Sequence, residues 1–578
     1  MGEMGKPILI FTPSRKLTFP KISAILLFMA KKAISKKDEQ FPFDRKKEVS
    51  MYKKQQTSVN AAALGIELGT TRIKAVLTDE AFGILASNEY SWENRFIDNL
   101  WTYSMDDVWA GLRACYAGLK KDFKQKYGVT LQTVGAIGVS AMMHGYLVFD
   151  KAGKQLAPFR TWRNNNAAAA AKELTKLFNY PIPDRWSIAH LYQAILNGEP
   201  HVKDIDYITA LEGYVHWRLT GEKAIGVGEA SGMFPVDVKT KLYDERRAKL
   251  FETAAKKLGF NRKVNDIFPC VLPAGVRAGN LTAEGARLLD PEGDLKAGIP
   301  FCPPEGDADT GMVATNCIKP GTGSVSAGTS IFGLIVLRGE PTGVYPEIDL
   351  LLTPAGDMAA MAHGVNCTSE INAWVGIFDE FCALTGMKTD KNELYDKLFN
   401  AALAGDPACG GLIAYNYLSG EHITHIEKGR PLFVRTTESE FNLANFMRAQ
   451  LYSAFATLRI GFEILQDKEN VKIDSLIGHG GIFKTKGIAQ RFLAAALKTP
   501  VTVSETANEG GPWGMAILAR YMLDGGNLPL NEYLDTKVFA SVQKTTIAPD
   551  PLDAAGFDKF MEGYVKGLAV VREAVNAI

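Results

Sequence analysis

The chain has 578 residues, 46% of them hydrophobic and 22% charged, with a formal net charge of +1. That length suggests about two to four domains with sizeable cores, and the near-zero charge argues against a whole-chain nucleic-acid binder. The seven cysteines contain no C-x-x-C pair, which disfavours a disulfide scaffold or a zinc knuckle and points to a reducing, cytoplasmic setting.

Residues 1–54 differ from the rest, with 13 Lys and Arg against 5 Asp and Glu. Their apolar run, Ile22–Ala30, is shorter than the roughly 20 residues a bilayer span needs and lacks a good cleavage site. We read residues 1–61 as a basic extension, either disordered or the product of an upstream start codon, with a targeting segment as the lesser alternative. Foldable periodicity begins near Ala62.

From Leu64 the pattern is strand, turn, strand, turn, strand: "LGIEL" before Gly69-Thr70-Thr71, "IKAVLTD", then "ILASNEY". Short β-rich runs with Gly punctuation predict an antiparallel meander. A helix follows at "SMDDVWAGLRACYAGLKKDF", with Ser104 as N-cap. "VGAIGVSAMM" reads as a buried parallel strand, because its small and apolar residues do not alternate. Near residue 320 the order recurs. "GSVSAGTSIFGLIVL" is again broken by Gly-Thr-Ser, and "MAAMAHGV" and the helical "SEINAWVGIFDEFCAL" come next. The two Gly-Thr turns stand about 260 residues apart, which suggests a duplicated domain and a cleft between the copies. Farther on, a long helix spans residues 442–466, and "IDSLIGHGGIF" leads through a Gly-rich turn into "IAQRFLAAAL", a topology that presents backbone N–H groups to a nucleotide. A closing amphipathic helix ends the chain.

No P-loop, dinucleotide fingerprint, nucleophile elbow or H-E-x-x-H motif is present. His422 and His425 form an H-x-x-H pair without a third ligand, so a solvated loop is favoured there over a metal site. In the Gly-Thr turns, Gly69, Thr70 and Thr71, and Gly328, Thr329 and Ser330, can approach anions through backbone and hydroxyl donors. Asp307, in "EGDADTGM", suits either a helix N-cap or a general base for phosphoryl transfer. Met143 and His144 stand where a parallel strand should end, followed by Trp162, Arg163 and Asn164. An imidazole, an indole, a guanidinium and an amide at such strand ends suit a polyhydroxyl ligand.

Taken in order, "GIELGTT…K", "MMHG", "TWRN", "GDADTGMVA", "SAGTS", "GHGGIFK" and "EGGPWGMAILA" resemble the FGGY carbohydrate kinases over about residues 62–525. "MHG" and the stretch from Leu219 to Gly232 are most similar to the xylulokinase branch. The resemblance implies an α/β fold of two actin/hexokinase/Hsp70-like (ribonuclease H-like) ATPase domains around an interdomain cleft. It divides the chain into an N-terminal domain at 62–320 and a C-terminal, ATP-binding domain at 321–578. It implies Asp307 as catalytic base, Met143, His144, Trp162, Arg163 and Asn164 as sugar contacts, and Gly69–Thr71 and Gly328–Ser330 as phosphate loops. Gly480, Gly481 and Lys484 would lie in the adenosine region, with Glu505 and Gly510–Gly511 near its far side. The cofactors implied are ATP and Mg²⁺, the ion oriented by Glu67 through water. The partner implied is a small-molecule sugar, with no nucleic acid, no membrane, and a homodimer left open. Two positions depart from the family pattern, with Glu67 and Asn164 each standing where Asp is usual. The activity implied is ATP-dependent phosphorylation of a ketopentose. The alternatives are a kinase for another ketose, such as L-ribulose, or a polyol, and a non-catalytic sugar or nucleotide sensor on the same fold.

Overall fold

The protein's computed structural model describes residues 59–504 and 510–577. The basic arm up to residue 58, and Glu505, lie outside the described residues. The compact unit from Thr57 to Ile578 is built on two large sheets.

The first sheet starts with β1 (Ala63–Leu68), β2 (Arg72–Thr78) and β3 (Ile84–Ser91), an antiparallel meander as the Gly-punctuated pattern predicts. Helix α1 (Met105–Tyr127) begins where Ser104 accepts the Asp107 N–H at 3.0 Å and stops at Gly128 in the left-handed region. Strand β4 (Ala136–Ala141), all small or apolar and wholly buried, then runs parallel to β1. After a largely helical insertion that includes α2 (Val227–Met233), the two-residue β5 (Glu305–Gly306) pairs parallel to β4, and α3 (Asp307–Ala314) follows at once. The strand order is β5-β4-β1-β2-β3.

The second sheet repeats the plan. Strands β6 (Thr322–Ala327) and β7 (Ile331–Val336) are antiparallel; β8 (Ile348–Leu352) and β9 (Met358–Gly364) extend that side. Helices α4 (Ser369–Leu384) and α5 (Leu443–Glu463) come next, α5 capped by the Asn442 side chain. Strand β10 (Ser475–His479) lies parallel to β6, and after α6 (Ile488–Leu497) β11 (Val501–Ser504) lies parallel to β10. The order β9-β7-β6-β10-β11 thus matches β3-β2-β1-β4-β5, with β8 and the edge strand β12 (Lys544–Ile547) added outside.

Helix α7 (Gly510–Asp524) crosses back onto the first sheet, and α8 (Pro551–Ala577) closes the chain. The seat for α7 is a pair of glycines in register, Gly65 on β1 and Gly138 on β4. A Cβ at Gly65 would stand 1.9 Å from the Pro512 carbonyl oxygen, and one at Gly138 would stand 2.6 Å from the Met515 methyl. Only glycine admits so close an approach. A division at residue 320 therefore assigns α7 to one half while it packs on the sheet of the other.

All seven cysteines are free thiols, six of them buried. Among the described residues, no helix is long and apolar enough to cross a membrane.

Candidate active site

Strands β1, β4 and β5 run side by side in the same direction, so their carboxyl ends deliver Glu67, the Met142–His144 turn and Asp307 to one place. Across from them stand Ser324, Ser326, Ser330, His363 and His479 from the second sheet. The cleft between them has a volume of about 410 Å³. Open parallel sheets present their ligand sites at strand carboxyl ends for this geometric reason.

Asp307 is the first residue of α3, and the cap position falls to Gly306, whose N–H is taken by Asp309 at 3.2 Å. The Asp307 carboxylate is thus free of capping duty and accepts the Met143 N–H at 3.3 Å. Burial pushes its pKa up to about 6, against the lowering effect of nearby backbone N–H groups. Glu67 rises to about 7, first from burial and then from the Asp307 charge, with Lys74 opposing. Lys74 is the cross-strand partner of Glu67 and also lines the cavity. Two facing carboxylates that repel one another suit a cation held between protein and phosphate oxygens. Among the described residues no group of three or more His, Cys, Asp or Glu could hold a metal alone. That donor set fits Mg²⁺, which keeps waters and takes few protein ligands.

Behind Asp307, the carboxyls of Glu212, Glu229, Glu305 and Asp309 are all buried. Burial lifts Glu305 to about 8, and burial with mutual repulsion lifts Glu212, Glu229 and Asp309. Glu229 has a specific task. Its carboxylate accepts the His144 N–H at 2.8 Å, holding His144 in the left-handed region at φ 67°. The His144 ring meets the Gly232 carbonyl through Nδ1 at 3.0 Å. A carbonyl can only accept, so Nδ1 carries the proton and Nε2 is a bare acceptor. Burial, aided by Arg185, lowers the imidazole pKa to about 3, so the ring is neutral at physiological pH.

Three aromatic donors brace the first Gly-Thr turn. Trp92 Nε1 donates to the Gly69 carbonyl at 2.8 Å, the Tyr103 hydroxyl donates to the Thr70 carbonyl, and Trp162 Nε1 donates to Thr70 Oγ1 at 3.1 Å. Because Thr70 Oγ1 accepts from the indole, its own O–H remains available as a donor. The second turn is held by Thr368, whose hydroxyl donates to the Gly328 carbonyl at 2.7 Å. Gly480, at φ 104°, lies against Ala327, where a Cβ would be 2.4 Å from the carbonyl oxygen.

The cavity therefore gathers Glu67, Thr70, Met143, His144, Trp162, Asp307 and Ser330 from the sequence expectations. Gly69, Thr71, Gly328, Thr329, Gly480, Gly481 and Lys484 do not line it. Arg163 and Asn164, expected as sugar contacts, do not line it either. The Arg163 guanidinium lies 3.9 Å from the centre of the Trp101 ring. The Asn164 amide accepts the Trp101 N–H at 2.9 Å and donates to the Trp101 and Thr161 carbonyls at 2.8 and 3.0 Å. Both of its N–H groups are taken by backbone carbonyls, so Asn164 fastens the Leu100–Thr102 strand, and it does not line the cavity. Sequence reasoning passed over Lys74, Arg185, His363 and His479. A histidine interrupting the apolar run "MAAMAHGV" was the one visible signal for His363.

Residues 62–314 match the N-terminal domain of the FGGY family of carbohydrate kinases, and residues 323–523 match its C-terminal domain. The chain is 22% identical over 514 residues to a xylulose kinase of Lactococcus lactis, covering 86% of this chain and 95% of that one. Among solved structures it resembles a ligand-bound xylulose kinase from Lactobacillus acidophilus, with a TM-score of 0.72 at 16% identity over 89% of this chain and 98% of that one. It also resembles a Plasmodium falciparum glycerol kinase with ADP, with a TM-score of 0.67 at 17% identity over 88% and 98%. The shared fold is the two-domain ribonuclease H-like ATPase fold, in agreement with the repeated strand order. Two family domains in tandem, over a cleft where paired carboxylates meet strand ends, make this chain a member of the FGGY family of carbohydrate kinases, close to its xylulokinase-like branch.

Proposed function

We propose that the chain transfers the γ-phosphoryl group of ATP to a hydroxyl of a ketopentose-like sugar, with Asp307 as general base. The observation that carries this reading is the placement of Asp307, which is released from capping, partly desolvated and lifted to about 6. A carboxylate with that pKa is mostly ionised at neutral pH yet more basic than a free aspartate. The sugar would lie against Met143, with a hydroxyl donating to His144 Nε2. As the sugar oxygen attacks the γ-phosphorus, its proton passes to Asp307 and the bond from phosphorus to the bridging β–γ oxygen breaks, leaving ADP. The Thr70 and Ser330 hydroxyls, from opposite walls, would donate to phosphoryl oxygens. Mg²⁺ would neutralise charge on the phosphates, with Glu67 and Asp307 as the acids nearest to it. A glycerol kinase of the same fold was solved with ADP, which supports a nucleotide as the second ligand.

A coupled ADP-release screen over ketopentoses, aldopentoses, ketohexoses and glycerol tests the proposal. We expect turnover with a ketose, lowered at least ~10²-fold in Asp307→Asn. ADP release independent of any sugar would reject it.

A further inference from the structure

A second cavity, of about 440 Å³, adjoins the first. Arg185 and His363 line both, so the two spaces meet at this pair of side chains. Beyond them the walls are Lys172, Thr175 and Pro183 on one side and Asp349 and His422 on the other. The Arg185 guanidinium is paired with Asp349, and the half-buried Asp184 stands close to both. The His363 and His422 ring centres are 6.2 Å apart. His422 Nδ1 lies 3.6 Å from Glu421, beyond hydrogen-bond length, and among the described residues His363 has only ring contacts, with Phe332 and His422. Burial lowers both imidazoles, His363 to about 4, so each offers one donor and one acceptor at neutral pH.

Neutral imidazoles match hydroxyl groups. Pro181, Pro183 and Pro346 add apolar surface for the C–H faces of a carbon chain. The two cations of the lining, Lys172 and Arg185, are balanced by the two carboxylates, Asp184 and Asp349, so the space offers no net charge to an anion. We propose that this second cavity is a subsite for the end of the acceptor remote from the phosphorylated hydroxyl, and that it selects an uncharged polyhydroxyl chain longer than five carbons. The proposal rests on the sugar-kinase reading, keeps its phosphoryl transfer, and moves its preferred acceptor from a ketopentose to a longer ketose.

The test compares neutral ketoses of five, six and seven carbons, and a six-carbon aldonate, at saturating MgATP in the wild type and in His422→Leu. His422 lines only the second cavity, and its side chain is 46% exposed, so the substitution should spare the fold and five-carbon turnover. Melting curves check the fold. The wild-type kcat/KM should rise at least ~10-fold from five to seven carbons, the scale of a few added contacts. The aldonate should fall below the neutral hexose, and His422→Leu should remove the gain. Equal kcat/KM at all lengths, or a length preference that survives His422→Leu, overturns the proposal. Should no sugar release ADP in the wild type, phosphotransfer fails on its own account. The subsite is then read by tryptophan fluorescence titration of the same sugars, where tighter binding of seven carbons than five, lost in His422→Leu, supports it and equal affinities overturn it.

Discussion

Gly511 and Glu67 are in closer register than any other side chain at that position would allow. A Cβ on Gly511 would stand 1.7 Å from Glu67 Oε2. The start of α7 therefore accommodates the extra methylene that distinguishes Glu67 from an aspartate. Gly511→Ala should lower kcat by at least ~10-fold by displacing that carboxylate, whereas Glu67→Asp combined with Gly511→Ala should recover part of the loss. The recovery is partial because Thr310 Oγ1 also lies 2.9 Å from the added carbon. A double-mutant cycle measures the coupling, and strictly additive losses would show that the two residues act separately.

Asp307→Asn should reduce kcat by at least ~10²-fold with little change in sugar affinity, as loss of a general base demands. In the wild type, kcat/KM should rise as pH increases through about 6 to 7, because Asp307 and Glu67 titrate as a pair raised into that range. A cation favours the ionised forms, so raising Mg²⁺ should move this limb to lower pH. A limb unmoved by Mg²⁺ would place the ion away from the two acids.

Asn164→Asp should cost stability and leave the ratios of kcat/KM among ketopentoses unchanged. The new carboxylate oxygen would oppose the Trp101 and Thr161 carbonyls that the amide now satisfies. A lost buried hydrogen-bonding partner costs about 1–3 kcal/mol, visible as a melting point lower by a few degrees. A changed sugar ratio with an unchanged melting point would restore a direct contact.

Glu305 gives stability a pH dependence. Its pKa is 4.5 by default and about 8 here, so the folded state binds more protons across that interval and stability falls as pH rises through it. Glu305→Gln removes this contribution, so its melting temperature should decline less steeply between pH 5 and 8. Some slope should persist from Glu212, Glu229 and Asp309, which are raised as well. Identical slopes in variant and wild type would show that Glu305 is ionised in the fold.

The local signals in the sequence were sound where structure is local. Glycine punctuation gave the meander, Ser104 marked a helix start, and the repeat of strand and Gly-Thr turn foretold the second sheet. The site was legible where a residue sits at the end of a strand, as with Glu67, Met143 and Asp307. It was illegible where chain neighbours diverge. Trp162 reaches the cavity while Asn164, two residues on, turns to Trp101. Arg185 and His363 meet only through tertiary closure, since nothing in either segment encodes the other. The fit of Gly511 to Glu67 joins positions hundreds of residues apart, and no periodicity reports such a contact.

The return of α7 to the Gly65–Gly138 seat has a consequence for synthesis on the ribosome. Strands β1 to β5 are complete once residue 306 has emerged, but their covering helix is not translated until residue 524. Throughout that interval one face of the nascent sheet lacks its native cover, and contacts of such long sequence separation form late. Exposed sheet of this kind is prone to aggregate, so the nascent chain is a natural client for chaperones from the completion of β5 at Gly306 until α7 is complete at Asp524.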